Sequence, residues 1–132
     1  MAEVTQFCVG LANRPGMLAQ LCAALRGAGV NIDALFVSND DEGCWVNLIV
    51  APEADADRVL RQAGYHFFTE RVLALMVEDR PGVLERIASR FAEAGININY
   101  VYGSGAQMPG FMLVLNVDDI ARAASAVSDF TG

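Results

Sequence analysis

The stretch Asn13-Arg14-Pro15-Gly16-Met17-Leu18 recurs 66 residues later as Asp79-Arg80-Pro81-Gly82-Val83-Leu84, in a chain of 132 residues. The same spacing relates Ala28-Gly29-Val30-Asn31-Ile32 to Ala94-Gly95-Ile96-Asn97-Ile98. A fixed repeat of this length indicates one structural unit that is written twice. Any binding site is therefore expected in two versions, and the differences between the copies become informative.

Hydrophobic periodicity predicts the order β-α-β-β-α-β in each copy. Pro15 is expected in the first turn of its helix, where its missing N–H costs nothing. The predicted strands are residues 4–12, 30–37, 44–50, 65–69, 71–77, 96–102 and 111–117, and the predicted helices begin near residues 15, 54, 84 and 119. Residues 39–43 and 103–110 are predicted turns or loops. Only residues 128–132 remain for the last strand of the second copy, so that strand is short, absent or supplied differently.

The fold class expected from this order is α+β, with two ferredoxin-like units at residues 1–69 and 70–132. In such a unit an antiparallel sheet carries both helices on one face. A unit of about 66 residues buries only roughly 60% of its unfolded surface, so the two copies are expected to pack together. The uncovered sheet face and the 54% apolar composition further predict a homodimer.

The net charge of −7 argues against a surface that follows nucleic-acid phosphates, which needs a basic stripe. No uninterrupted apolar stretch approaches the length of a membrane span. The first residues lack the features of a signal peptide, and a cytoplasmic location is expected. The three cysteines are far apart and form no C-x-x-C, so no metal site or redox dithiol is indicated, and they are expected to be small buried apolar residues.

The turn that opens the first helix of each copy is the candidate ligand site. The first N–H groups of a helix have no partner within the helix and carry partial positive charge, so they can receive a carboxylate. Gly16 leaves room beside them, and Asn13 offers a donor and an acceptor. Asn31 begins the next strand, at the opposite end of the sheet, and would serve a neighbouring unit. The alternative is purely structural, since Pro-Gly after Asn or Asp opens helices well and asparagines cap turns.

The doubled D/N-R-P-G-x-L and A-G-[VI]-N-I motifs resemble the ACT domain, a small regulatory module of which many members bind amino acids. The resemblance covers residues 4–65 and 71–127, and the whole chain is similar to stand-alone tandem ACT proteins that carry no catalytic domain. In amino-acid-binding ACT domains the ligand lies between two units, against the first turn of one unit and an Asn of the other. The ligand-binding residues that the resemblance implies are Asn13, Arg14, Pro15, Gly16, Met17, Leu18, Asn31, Asp79, Arg80, Pro81, Gly82, Val83, Leu84 and Asn97.

By this resemblance, backbone N–H groups near Gly16 and Gly82 would take the ligand carboxylate, and Asn13 or Asp79 would hold its ammonium. Some members carry a polar residue, often His, two positions before the Asn or Asp, where this chain has Leu11 and Val77. A polar ligand side chain is then disfavoured, or the site is silent. An ionised Asp79 attracts an ammonium but repels a carboxylate, so the two sites should differ.

The expected function is that of a non-catalytic regulatory protein, which binds an amino acid between units and acts on an enzyme in trans. The alternative is a ligand-free oligomerisation module that scaffolds or regulates a partner enzyme. No catalytic residue and no cofactor is expected, because the sequence has no G-x-S-x-G and no Ser/His/Asp pairing. His66 is expected to be an ordinary strand or interface residue. An RNA-binding RRM shares the element order, but the third strands here lack Lys and Arg.

Overall fold

The computed structural model describes residues 2–41, 43–104 and 110–130. Within them the chain forms six strands and four helices, which confirms the predicted order β-α-β-β-α-β in two copies and the antiparallel α+β class. The elements in chain order are β1 (Ala2–Leu11), α1 (Met17–Gly27), β2 (Asn31–Asp40), β3 (Gly43–Ala51), α2 (Glu53–Gln62), β4 (His66–Glu78), α3 (Val83–Glu93), β5 (Ile98–Ser104), β6 (Gly110–Val117), α4 (Ile120–Ala126) and a 3₁₀ helix (Ser128–Phe130).

The chain divides into two compact units. The N-terminal unit comprises Thr5–Glu70, and the C-terminal unit comprises the described residues from Arg71 onward together with residues 2–4. In the N-terminal unit the strand order is β2-β3-β1-β4, and in the C-terminal unit it is β5-β6-β4-β1. Residues 2–4 of β1 and 71–78 of β4 therefore belong to the C-terminal unit, and the remaining residues of both strands belong to the N-terminal unit.

The core of each unit lies between its sheet and its helices. Alternate strand residues point towards the helices, as the period-2 pattern requires, and the helices contribute residues at three- and four-residue spacing. The buried core residues are Phe7, Val9, Leu21, Leu25, Val30, Val46, Leu48, Val50, Ala56 and Leu60 in the N-terminal unit. Those of the C-terminal unit are Leu73, Leu75, Val77, Val83, Ile87, Phe91, Ile96, Leu113, Leu115, Ala123 and Val127.

The first three helices end as the glycines of the sequence indicate. After α1, the N–H of Gly29 donates to Arg26 at 3.0 Å and the N–H of Val30 donates to Leu25 at 2.9 Å. This hydrogen-bond pair defines a Schellman motif, with glycine in the left-handed conformation that L residues avoid. The same pattern follows α2 and α3, where Gly64 and Gly95 also have positive φ. The helix ends were thus readable from the sequence.

The prediction of two separate strands at residues 65–69 and 71–77 is wrong. One strand, β4, runs from His66 to Glu78, because it lies between β1 and β6 in the sheet and pairing with these neighbours keeps its backbone extended. The predicted loop at 103–110 is also too long, since residues 103 and 104 end β5 and residue 110 begins β6; its residues 105–109 lie outside the described part of the chain. The predicted turn at 39–43 is likewise too long, because residues 39 and 40 end β2 and residue 43 begins β3; its residue 42 lies outside the described part of the chain.

The last strand of the second copy is supplied by the opposite end of the chain. Residues 128–130 form a 3₁₀ helix, whereas residues 2–4 of β1 belong to the C-terminal unit beside β4. The Arg71 guanidinium donates to the backbone carbonyl of Glu3 at 2.9 Å. None of the helices in the described residues has the length and apolarity that a membrane span requires.

Deleting residues 1–4 should destabilise the C-terminal unit in particular. The deletion removes the partners that β1 supplies to β4 in this unit, while the pairing of β4 with β6 remains, and a few net hydrogen bonds correspond to about 1–3 kcal/mol of unfolding free energy. Urea unfolding measures this loss, and hydrogen exchange of residues 71–78 localises it. Glu3→Ala is the matched control, because it keeps the backbone carbonyl that Arg71 uses. Equal stability of the truncated and intact chains would show that residues 2–4 contribute nothing to this unit.

Candidate functional site

The link between β1 and α1 is a β-turn in which Pro15 and Gly16 are the central residues. The N–H of Met17 donates to the carbonyl of Arg14 at 3.4 Å, and Gly16 has φ 89° and ψ −12°. These angles match position i+2 of a type II turn, where glycine is favoured, and proline is common at i+1. The Arg-Pro-Gly sequence therefore encodes a specific chain reversal before the helix.

The second copy forms the same turn. The N–H of Val83 donates to the carbonyl of Arg80 at 3.5 Å, and Gly82 has φ 91° and ψ −11°. The prediction that Pro15 lies in the first helical turn is wrong, because the Pro-Gly pair forms the turn that precedes the helix. Each glycine is instead the N-cap, and the carbonyl of Gly16 accepts the first helical hydrogen bond at 3.0 Å from Gln20.

Most of the predicted site residues lie at the surface, as a ligand site requires. The Asn or Asp, Arg, Pro and Gly residues of both turns are exposed, and Leu18 and Leu84 are 38% and 45% exposed. Val83 is the exception, since its side chain is buried in the core of the C-terminal unit. Its counterpart Met17 is only half-buried, so the two helix starts present different side chains.

The two turn arginines also have different partners. Nε of Arg14 lies 3.3 Å from Sδ of Met17, whereas Nε of Arg80 forms an ion pair at 2.9 Å with Oε2 of Glu78. The first copy has Ala12 where the second has Glu78. The second helix start is therefore the more acidic of the two, as Asp79 had already indicated.

Asn31, the first residue of β2, and Asn97, which directly precedes β5, each have a side-chain partner two residues further along the chain. The Asn31 amide donates to Oδ1 of Asp33 at 2.6 Å, and the Asn97 amide donates to Oδ1 of Asn99 at 3.1 Å. Both strands shift register at this point, between residues 32 and 34 in β2 and between residues 98 and 100 in β5. The repeated asparagines thus support a repeated β-bulge, which gives the structural alternative a definite form.

The helix start and the asparagine of one unit lie at opposite ends of its sheet. In the N-terminal unit Leu11 pairs with Cys44 and Asn31 pairs with Ala51. Seven residues of extended strand separate these points by about 23 Å. The C-terminal unit repeats this arrangement, in which Glu78 pairs with Gly110 and Ile98 with Val117. This separation agrees with the topological prediction that one unit cannot bring both groups to one ligand.

A cavity of about 230 Å³ adjoins the second helix start. Its lining combines apolar and charged side chains from the end of β4, the Asp79 turn, α3 and the 3₁₀ helix. The lining residues are Val77, Glu78, Arg80, Val83, Arg86, Asp129 and Phe130. The sequence analysis missed Arg86, Asp129 and Phe130, and comparison of the copies was the signal that could have found them: the first copy has Gln20, Ala63 and Gly64 there.

Trp45 and His66 line another cavity, of about 250 Å³, in the N-terminal unit. The described residues hold no group of three or more His, Cys, Asp or Glu that could bind a metal.

Burial raises the pKa of the Cys8 thiol to about 11, so this thiol stays protonated at neutral pH and is no nucleophile. Cys22 and Cys44 are only partly buried, contrary to the expectation for all three cysteines.

Comparison with known proteins supports this fold and these repeats. The model of the ACT domain pair matches residues 2–129. The chain belongs to the ACT domain pair family. Protein BT0572 from Bacteroides thetaiotaomicron has a similar structure with a TM-score of 0.89 and 17% identity, covering 96% of this chain and 88% of that one.

Two regulatory subunits of aspartate kinase are also similar in structure. The ligand-free subunit from Thermus thermophilus has a TM-score of 0.66 and 16% identity, covering 97% of this ACT pair and 92% of that chain. The subunit from Thermus flavus has a TM-score of 0.66 and 15% identity, covering 97% and 90%. At these identities the likeness establishes the fold alone. No curated protein sequence matches the chain.

Gly16→Ala and Gly82→Ala should each lower the free energy of unfolding by about 1–2 kcal/mol, the cost of placing an L residue in the left-handed region. A new Cβ would meet no atom within 4 Å at either position, so backbone strain is the sole cause. Gly27→Ala is the matched control: its Cβ would also meet nothing, and within α1 it should stabilise by about 0.5 kcal/mol. Urea unfolding measures the change in free energy for each variant. Equal changes for all three substitutions would contradict the turn assignment.

Proposed function

We propose that this ACT pair is a non-catalytic regulatory protein that binds an amino acid at its two helix starts, residues 13–18 and 79–84. In the proposal, N–H groups beside Gly16 and Gly82 receive the ligand carboxylate, and Asn13 or Asp79 holds its ammonium. The observation that carries it is the repeated type II turn, which leads the chain into an exposed helix start in both units. Membership of the ACT domain pair family supports the same site.

An asparagine of another unit, Asn31 or Asn97, would complete each site. The separation of about 23 Å within one unit is the reason for assigning this group to a neighbour. Residues 1–69 and 70–132 would act as the two binding repeats. Ligand binding would stabilise one arrangement of the units and so change the activity of an enzyme bound in trans.

The magnitude of binding follows from ligand size. An amino acid has roughly 5–15 heavy atoms, and the binding free energy per atom falls with ligand size, from about 1 kcal/mol for the smallest to about 0.5 kcal/mol for the largest. The total is then roughly 5–7.5 kcal/mol, which corresponds to a dissociation constant between ~3 μM and ~0.2 mM. Such affinities suit a sensor of metabolite pools. The apolar residues Leu11 and Val77 beside the turns favour a ligand with an apolar side chain.

A panel of the twenty amino acids at 10 mM, followed by thermal shift and calorimetry, tests the proposal. A ligand at 100 times its dissociation constant should stabilise the protein by ~2.7 kcal/mol. Asp79→Asn should then weaken binding at the second site about fivefold, because the ammonium that Asp79 holds loses the attraction of one unit charge at about 4 Å in water, ~1 kcal/mol. Asn13→Asp should strengthen binding at the first site by a similar factor.

Glu93→Gln is the control for these substitutions, since it removes one charge at the far end of α3. Exchange protection of residues 13–20 and 79–86 reports the two sites separately. If no amino acid shifts the thermal unfolding midpoint, the proposal of an amino-acid sensor is wrong. Unchanged ligand affinity in both Asp79→Asn and Asn13→Asp would mean that the ligand binds elsewhere.

A ligand-free oligomerisation module is the second candidate, and exposed apolar residues favour it. Leu35 on β2 is 43% exposed and its repeat counterpart Val101 on β5 is 36% exposed. Both strands are the outermost strands of their unit's sheet. Unpaired strand edges with apolar side chains are templates for pairing with another chain, so a homodimer is proposed for this module as well.

Sedimentation equilibrium at tens of micromolar tests the assembly. We expect a dimer for the native chain, and a shift towards monomer for Leu35→Asn combined with Val101→Asn, because each substitution places a polar amide in the apolar contact. Arg58→Asn, at an exposed position of α2, is the control for a surface change. A strictly monomeric mass of the native chain would contradict the dimer.

A further inference from the structure

The 3₁₀ helix that follows α4 is tied to α3 by one arginine. Both nitrogens Nη1 and Nη2 of Arg90 contact Asp129, at 2.6 Å to Oδ1 and 2.9 Å to Oδ2. Nη1 also donates to the backbone carbonyl of Ala126 at 3.1 Å. A bidentate contact of this kind fixes orientation as well as distance. The contact lowers the pKa of the Asp129 carboxyl and raises that of Arg90, so both stay ionised at neutral pH.

Phe130 supplies a second attachment. The guanidinium carbon of Arg90 lies 4.8 Å from the centre of the Phe130 ring, and that of Arg86 lies 5.0 Å from it. Cations at this distance are attracted to the face of an aromatic ring. The half-buried ring also packs against the core of the C-terminal unit. Ser128–Phe130 is therefore held by an ion pair, by two cation–π contacts and by apolar packing.

This segment closes one side of the cavity at the second helix start. Asp129 and Phe130 line that cavity together with Arg80 and Val83. Arg86 also lines the cavity, and its guanidinium contacts the ring of Phe130. Because Arg90 holds Asp129 and Phe130 in place, loss of the Arg90 contact would change the lining of this cavity.

The first copy cannot form this arrangement. The positions that correspond to Arg86 and Arg90 are Gln20 and Ala24. Those that correspond to Asp129 and Phe130 are Ala63 and Gly64. The attachment is therefore a property of the second repeat alone, and the two helix starts differ in enclosure as well as in charge.

We propose that Ser128–Phe130 is a strap that retains the ligand at the second site, and that Arg90 acts as its clasp. The proposal rests on the proposed function, since it concerns how long an amino acid stays at the Asp79–Leu84 turn. With the strap attached to α3, Asp129 and Phe130 form part of the wall beside a molecule bound at this site. With the strap detached, the same site becomes an open groove, and dissociation accelerates.

Hydrogen exchange of the ligand-free protein tests the strap itself. Arg90→Ala should raise the exchange rates of residues 82–86 and 127–130 about tenfold, because it removes a bidentate ion pair and one cation–π contact. Arg61→Ala is the matched control: Arg61 also pairs with an aspartate, at 2.9 Å from Asp57, and lies 5.2 Å from the Phe67 ring, but in the N-terminal unit. Equal exchange in the native, Arg90→Ala and Arg61→Ala proteins would overturn the strap.

The ligand effect is measured with each of the twenty amino acids at 10 mM. For an amino acid that protects the native chain, Arg90→Ala should lower the affinity at residues 79–86 about tenfold and leave protection of residues 13–20 unchanged. Native protection at both sites with no effect of Arg90→Ala would overturn retention by the strap alone. No protection of the native chain by any amino acid would overturn the proposed function, and the retention role with it, whereas the ligand-free exchange still decides whether the strap exists.

A charge exchange separates the clasp from a general loss of stability. Arg90→Asp or Asp129→Arg alone places like charges together and should release the strap. The double variant restores an opposite pair and should slow the exchange of residues 127–130 relative to both single variants, since the two residues act as one interaction. It does not restore the contact of Arg90 with Phe130 or its hydrogen bond to Ala126, so the recovery is partial. Failure of the double variant to recover, with a native unfolding midpoint, would contradict the clasp.

Discussion

The reversal of the chain between the first strand and the first helix of each unit is the constraint on which the rest depends. A helix can cover the sheet only if the backbone turns back within a few residues of the strand end. Pro15 and Gly16 provide that reversal, as do Pro81 and Gly82, because glycine adopts φ near 90° at the second central position without steric cost. The same geometry leaves the first helical N–H groups at the exposed end of the sheet. Fold and proposed site therefore share one cause.

Duplication of this unit has produced two similar folds with different surroundings at the site. At the first site, Met17 is the first helical residue and Ala12 precedes the turn. At the second site, Glu78 and Arg80 form an ion pair, and the segment Ser128–Phe130 after α4 lies beside the helix start. Each difference changes charge or enclosure without touching the turn. The repeats have thus kept what the backbone requires and diverged in the side chains that a ligand would meet.

The asparagines illustrate how a repeated residue can have two explanations at once. Asn31 and Asn97 each donate to the side chain two positions later, at a bulge in the strand. That contact accounts for an asparagine in both copies without any ligand. A role towards a neighbouring unit would add to this contact and would not replace it, which is why the binding tests above rely on the charge at residues 13 and 79.

By itself the sequence determined the element order, the helix-ending glycines and the location of both turns, because these depend on local backbone preferences and on hydrophobic period. It also determined that Asn31 and the Asn13 turn lie apart, since the topology of antiparallel strands requires this. The merging of residues 66–78 into one strand, the use of residues 2–4 in the C-terminal unit and the Arg90–Asp129 contact were decided by the tertiary structure alone. Each of these joins residues distant in the chain or depends on the packing around a strand, and no local preference of a residue encodes such a pairing.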